Sequence, residues 1–341
     1  MNSLIPPFDF QRVFLVPWAQ DAALNGWVLL MGFLVTTACG LAGVYLVLRR
    51  LALMGDAISH SVLPGLAGAF LIGSLLAGGG PGTGHGARSP GLMFLGALIA
   101  GLVTTVLVEF IHRRSRIKQD AAIGITFSTL FALGVVLITA FADHVDLDPD
   151  CVLYGEIGFV AFADFVRLGG RELAPEPVAL MAAVALLTTL FVLLFYKELL
   201  LTSFDPGLAT AAGIPAGVVH YALMGWLGVV VVSAFEAVGA ILVIAMLILP
   251  GATGLLLTRR LPAILLLVPA QAALSALLGL HLALWLDCST AAAMVVAGCG
   301  LFLLAWLVGP ESGWRRWRAR LRAAREVWSD TAALDPAGPV R

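Results

Sequence analysis

Lysine occurs only twice, at Lys118 and Lys197, and neither follows a glycine. A phosphate-cradling Gly-x-x-x-x-Gly-Lys-Ser/Thr loop is thereby excluded, and any nucleotide-driven work falls to a separate subunit. Charge of either sign is scarce: 12% of the 341 residues are charged against 60% hydrophobic, with a mean hydropathy of +0.99. That balance excludes a soluble domain and points to an all-α polytopic membrane protein. Cys39, Cys151, Cys288 and Cys299 show neither CxxC nor metal-finger spacing and read as small buried hydrophobes. No HExxH occurs, which argues against an intramembrane metalloprotease. The N-terminus lacks a basic region followed by an uninterrupted apolar core and a small-residue cleavage site. Residues 1–23 therefore read as an interfacial segment rather than a cleaved signal.

What the chain does have is apolar runs of about 20 residues, the length that crosses a bilayer core. Nine are expected, with eight or ten as alternatives: 24–48, 51–76, 91–111, 121–141, 178–196, 218–235, 238–257, 262–282 and 288–308. Only Glu236-Ala237 separates the sixth from the seventh, so one long tilted element or a re-entrant hairpin would read similarly there. With nine spans, Arg49-Arg50, the cluster from Arg113 to Lys118, Arg259-Arg260 and the arginine-rich tail share one side. The positive-inside rule makes that side cytoplasmic and puts the C-terminus there, with 24–309 as the membrane domain.

Within the second segment, LALMGDAISHSVLPGLAGAF, an acid and an imidazole interrupt the apolar run. Asp56 and His60 are four apart and share one helix face. With Arg49-Arg50 at the water interface, Asp56 lies roughly 9 Å further in at 1.5 Å per residue. An ionisable group at the bilayer centre costs at least about 2.5–3.5 kcal/mol, and such groups usually face a cavity or pathway. Pro64-Gly65 follows, and a proline without its backbone donor beside a flexible glycine predicts a helix break near the pair. Broken helices are how transporters place ligating groups at membrane depth. One oxygen and one imidazole nitrogen suit Mn²⁺, Zn²⁺ or Fe²⁺. A structural Asp–His clasp and a proton relay remain open as alternatives.

Four other stretches stand out. Asp146, Asp148, Asp150 and Glu156 crowd one connection; their spacing is similar to the start of a calcium loop, but Cys151 and Ile157 occupy the turn-glycine and bidentate-Glu positions. They read instead as an acidic vestibule for cations and a docking protein, or as a solvated loop. In KELLLTSFDPGLATAAGIP, Asp205 is placed to cap a helix with Pro206 at its first position and Gly213 near its stop, predicting a short helix over 206–212. Glu236 is a weaker pathway candidate, close enough to the interface to reach water. The tail, 310–341, sets Trp314, Trp317, Leu321, Ala324 and Trp328 opposite six arginines. This basic amphipathic pattern favours membrane lipid over nucleic acid.

The runs GDAISHSVLPG, VDLDPDCVLYGEI, SFDPGLATAAGIP and FEAVGAILVIAMLILPGAT resemble the permease subunits of ATP-binding-cassette importers for manganese, zinc and iron. The resemblance extends from about Leu24 to Val308 and implies a type II importer fold in a bacterial cytoplasmic (inner) membrane. It also implies a second permease protomer, cytoplasmic ATPases that consume ATP, and an extracytoplasmic metal-binding protein. By this resemblance Asp56 and His60 contact the transported metal, and the stretch with Phe204, Asp205, Pro206 and Gly213 contacts the ATPase. The resemblance further implies no catalytic residues in this chain and no permanently bound cofactor. A proton-coupled secondary metal transporter using the same pair is the competing reading, and it needs no ATPase.

Overall fold

The computed structural model describes residues 9–76, 90–141, 157–168 and 171–309. The chain enters through π-helical turns at Gln11–Leu15 and the short helix α1 (Val16–Ala19). It continues through α2 (Ala22–Leu48), α3 (Leu53–Leu76), α4 (Pro90–Arg114) and α5 (Gln119–Phe141). A 3₁₀ turn (Ile157–Phe162) and the strands β1 (Phe165–Leu168) and β2 (Arg171–Pro175) precede α6 (Glu176–Leu194). Then come α7 (Tyr196–Phe204), α8 (Pro206–Ala211), α9 (Ala216–Leu257), α10 (Leu261–Leu286) and α11 (Thr290–Val308). Long helices are what lipid demands, since each backbone donor must find its acceptor within its own segment. Among the described residues eight helices are long and apolar enough to cross a membrane, and Leu242–Leu257 is a shorter apolar one.

That shorter helix answers the question left open at Glu236-Ala237. Gly239 inside α9 has φ 77° and ψ 166°, a conformation only glycine takes readily, and it divides α9 into two limbs. The start of the first limb meets the end of α2 through His220 and Arg49, and the second limb returns to the same end, where Leu247 packs on Gly43 and Gly251 on Val44. The limbs therefore run in opposite directions. The sixth and seventh expected segments form a helical hairpin whose second arm is short.

Helix α2 is the centre of the bundle. Every residue from Val35 to Leu46 is buried, and α9, α10 and α6 pack around it. Glycines make that enclosure tight: Gly32 faces Met294, and Gly40 faces Val268 and Pro250. Helices associate closely in lipid where small residues line the contact. Helices α3, α4 and α5 form a flank whose outer surface is apolar and exposed, with Ile99, Val106, Phe110 and Val136 among its uncovered side chains.

Two local features depart from expectation. The predicted break at Pro64 is absent: α3 runs without interruption through Pro64-Gly65. Its neighbours hold it from both sides, with Gly65 against the backbone of Gly96 on α4 and Pro64 against Gly134 on α5. Proline within a membrane helix is tolerated when neighbouring helices support the freed backbone groups. The connection before α6 holds a small antiparallel hairpin, pairing Val166 with Ala174 and closed by an Arg167–Glu172 ion pair of 2.8 Å.

At the N-terminus, Trp18 Nε1 donates to His281 Nε2 at 3.3 Å and Phe14 stacks on the same imidazole at 4.6 Å. The entry segment thus lies against α10. The tail beyond Gly309, expected as an amphipathic helix, lies outside the described residues.

Candidate functional site

The turn from α2 into α3 sets the position of the polar pair. Arg50 adopts φ 60°, its N–H donates to Val47 O at 3.1 Å, and the Leu51 N–H donates to Leu46 O at 2.8 Å. This is a Schellman closure with arginine in the left-handed position that glycine usually takes. It ends α2 abruptly and starts α3 at Leu53, so Asp56 falls in the first turn of α3 and His60 one turn later. Both stand near the arginine-bearing end of the bundle.

His60 Nε2 lies 3.3 Å from Asp56 Oδ1, with the two side chains 26% and 38% exposed respectively. On the far side the imidazole meets two rings from α5: Phe127 at 5.1 Å, tilted by 49°, and Phe131 at 5.9 Å, edge to face. Behind the pair, Gly55 packs against Leu247 so closely that an added Cβ would lie 2.1 Å from its Cδ2. Further along α3, Thr104 Oγ1 on α4 donates to Ser61 Oγ at 2.6 Å. The face opposite the pair is thus fixed to the bundle, while Asp56 and His60 stay partly exposed beside α5.

Among the described residues no group of three or more His, Cys, Asp or Glu is placed to hold a metal ion. The pair therefore offers one carboxylate and one imidazole, with further ligands left to water or to another chain. An O,N pair is chemically suited to borderline divalent ions, and too few ligands to trap one.

The second predicted element is present. Helix α8 begins at Pro206, and the Asp205 carboxylate accepts the Leu208 N–H at 2.9 Å as its N-cap. Gly213, with φ 83°, ends it, and the Ile214 N–H reaches Ala209 O at 2.9 Å. Phe204 at the end of α7 and Leu208 on α8 are both exposed, so the junction of the two helices presents an apolar surface at the arginine-bearing end.

Glu236 belongs to the first limb of α9, close to the reversal at Gly239, and its side chain lies outside the described residues. Asp146, Asp148, Asp150 and Glu156 lie outside them as well. Sequence reasoning missed Phe127 and Phe131, although their i,i+4 spacing was a readable signal for a shared face. It also missed Gly55, whose role depends on a contact with residue 247.

Comparison with known proteins follows the same outline. A model of the ABC 3 transport family matches residues 23–309. The chain is 40% identical over 291 residues to the manganese transport system membrane protein MntD of Bacillus subtilis, covering 85% of this chain and 94% of that protein. It is 39% identical over 286 residues to the zinc transport system membrane protein TroD of Treponema pallidum, covering 84% and 74%. Among solved structures it resembles PsaBC from Streptococcus pneumoniae in complex with Fab, with a TM-score of 0.69, 30% identity, and coverage of 89% of this chain and 98% of that one.

Proposed function

The chain belongs to the ABC 3 transport family, and from that premise we propose that it is the membrane-spanning subunit of an ATP-driven importer of Mn²⁺, Zn²⁺ or Fe²⁺. The observation that carries this reading is the Asp56–His60 pair, partly exposed on a flank whose uncovered surface is largely apolar. A carboxylate facing lipid is costly, so that flank is better accounted for as the wall of a protein-lined path than as lipid-facing surface. A second permease protomer, identical or paralogous, covers it and contributes its own pair across the path.

The arginine-bearing end is cytoplasmic by the positive-inside rule, and the C-terminal tail lies on that side against the anionic leaflet. There the exposed Phe204, at the end of α7, and Leu208, on α8, dock the ATPase, with Asp205, Pro206 and Gly213 bounding α8. A binding protein delivers the ion at the opposite face, where Asp146, Asp148, Asp150, Glu156 and Glu236 supply negative charge. Asp56 and His60 then replace part of the ion's water shell. Two ligands per chain hold it weakly enough for release when the inner gate opens. ATP acts only through the partner subunit.

The test is elemental analysis of Mn, Zn and Fe uptake into cells expressing the complete system. His60→Ala and Asp56→Asn are expected to insert at wild-type levels and to lose uptake at least tenfold. The wild-type profile identifies the cargo. Unaltered uptake in both variants would make the pair a structural clasp.

A further inference from the structure

The arginine-bearing end holds a run of polar contacts that the transport reading leaves unused. Arg49, half-buried at the end of α2, donates from Nη2 to Thr202 Oγ1 at 2.8 Å and from Nε to Ser203 Oγ at 3.0 Å, both on α7. Its Nη1 lies 3.4 Å from His220 Nδ1 on α9. A guanidinium can only donate, so His220 Nδ1 is the acceptor and its ring proton sits on Nε2. That nitrogen faces Glu109 Oε2 on α4 at 3.9 Å, and Glu109 also pairs with Arg113. Burial pulls the Arg49 pKa below its ordinary value, yet an arginine stays charged in proteins, so this charge has to be met by fixed partners. A cavity of about 370 Å³ opens beside the run, lined by Glu109, Thr202, Ser203, Pro206 and His220.

The run joins the two functional elements by a short route. Thr202 and Ser203 immediately precede Phe204 and Asp205, where the ATPase is proposed to dock. Arg49 immediately precedes the Arg50 turn that launches α3 toward Asp56 and His60. Glu109 is on α4, which is locked to α3 at Gly65–Gly96 and Ser61–Thr104. We propose that Arg49 is a positioning residue that ties the ATPase-facing helix α7 to the start of α3 and the inner end of α4, so that movement of α7 reorients the metal-contacting pair. This rests on the transport reading above. Directional bonds of a planar guanidinium to two hydroxyls suit the task, because they hold orientation as well as distance.

The experiment reconstitutes the complete complex in proteoliposomes with its binding protein and measures metal taken up per ATP hydrolysed. Arg49→Gln is expected to assemble with the ATPase and hydrolyse ATP, while uptake per ATP falls at least fivefold. Arg49→Lys restores part of the ratio, since an ammonium keeps the charge but not the fork. The double variant Thr202→Val/Ser203→Ala leaves Arg49 in place, is expected to lower the ratio in the same way, and decides the matter if Arg49→Gln does not assemble. An unchanged ratio in the double variant overturns the tie, as does an equal loss of hydrolysis and uptake in every variant. A wild-type complex without ATP-driven uptake overturns the transport reading itself, and is separately visible in the same assay.

Discussion

Helices α2 and α5 are both apolar spans, yet 72% of the apolar window of α2 is buried within the chain against 22% of that of α5. Hydropathy does not separate them; neighbours do. Around α2, glycines let the α9 backbone and side chains of α10 and α11 approach closely, whereas α5 rests on α3 and α4 and leaves its far side uncovered. The polar pair stands on the loosely covered side. An enclosed scaffold and an open flank differ in kind: the first holds one geometry, and the second leaves an ionisable pair partly uncovered. That division gives the physical ground for a second protomer at the flank, because lipid is a poor neighbour for a carboxylate.

The comparison breaks first, if it breaks, at Gly43. A Cβ there would lie 1.7 Å from the carbonyl oxygen of Leu247, so the second limb of α9 must move to admit any side chain. Overpacking a fitted core typically costs about 1–3 kcal/mol, and a backbone obstacle places this case at the top of that range or above. Gly43→Leu is expected to cut the yield of monodisperse protein in detergent severalfold. Gly124→Leu on α5, where nothing stands within 4 Å, is expected to leave the yield unchanged. Equal tolerance at the two positions would abolish the distinction between scaffold and flank.

A smaller effect is expected on the flank itself, at Phe127. Leucine there keeps most of the bulk but removes the ring that meets His60 at 5.1 Å. Aromatic ring contacts contribute about 0.5–1.5 kcal/mol beyond burial, so Phe127→Leu should weaken the apparent metal affinity about two- to tenfold. The concentration dependence of uptake measures it, with folded yield as the control. A loss of yield with unaltered affinity would assign Phe127 to packing and move α5 toward the scaffold class.

Most of the architecture was legible because lipid imposes one rule on every span, and the apolar runs mark the helices directly. The Asp205 cap and the Gly213 stop were legible too, since both act within a few residues of themselves. Pro64 was misread because its effect depends on Gly134 and Gly96, which lie in other helices. The reversal at Gly239 was only half legible: a glycine announces that a turn is permitted, not that one occurs. At the site, Asp56 and His60 were conspicuous as charges in lipid, while Phe127 and Phe131 were hidden among eighteen phenylalanines. Arg49 was read as a topogenic charge alone. Its bonds to Thr202 and Ser203 join positions more than 150 residues apart, with separations of 153 and 154, and no local pattern carries such a contact.

The smallest expected effect lies at the joint between the two regions, Arg50. Its φ of 60° places a β-carbon-bearing residue in the left-handed region, which costs roughly 1–2 kcal/mol relative to glycine. Glycine relieves that strain but leaves a more flexible unfolded chain, so the net gain is below the full figure. Arg50→Gly is therefore expected to raise the Tm of the purified protein by no more than about 2–4 °C. Insertion should not change, since Arg49, Arg113, Arg114 and Arg260 remain at the same end of the bundle. A modest rise means that the turn is held by its backbone bonds to Leu46 and Val47 and belongs to the scaffold. A fall means that the exposed Arg50 side chain stabilises the joint through its charge, and the entry to α3 then moves with the flank.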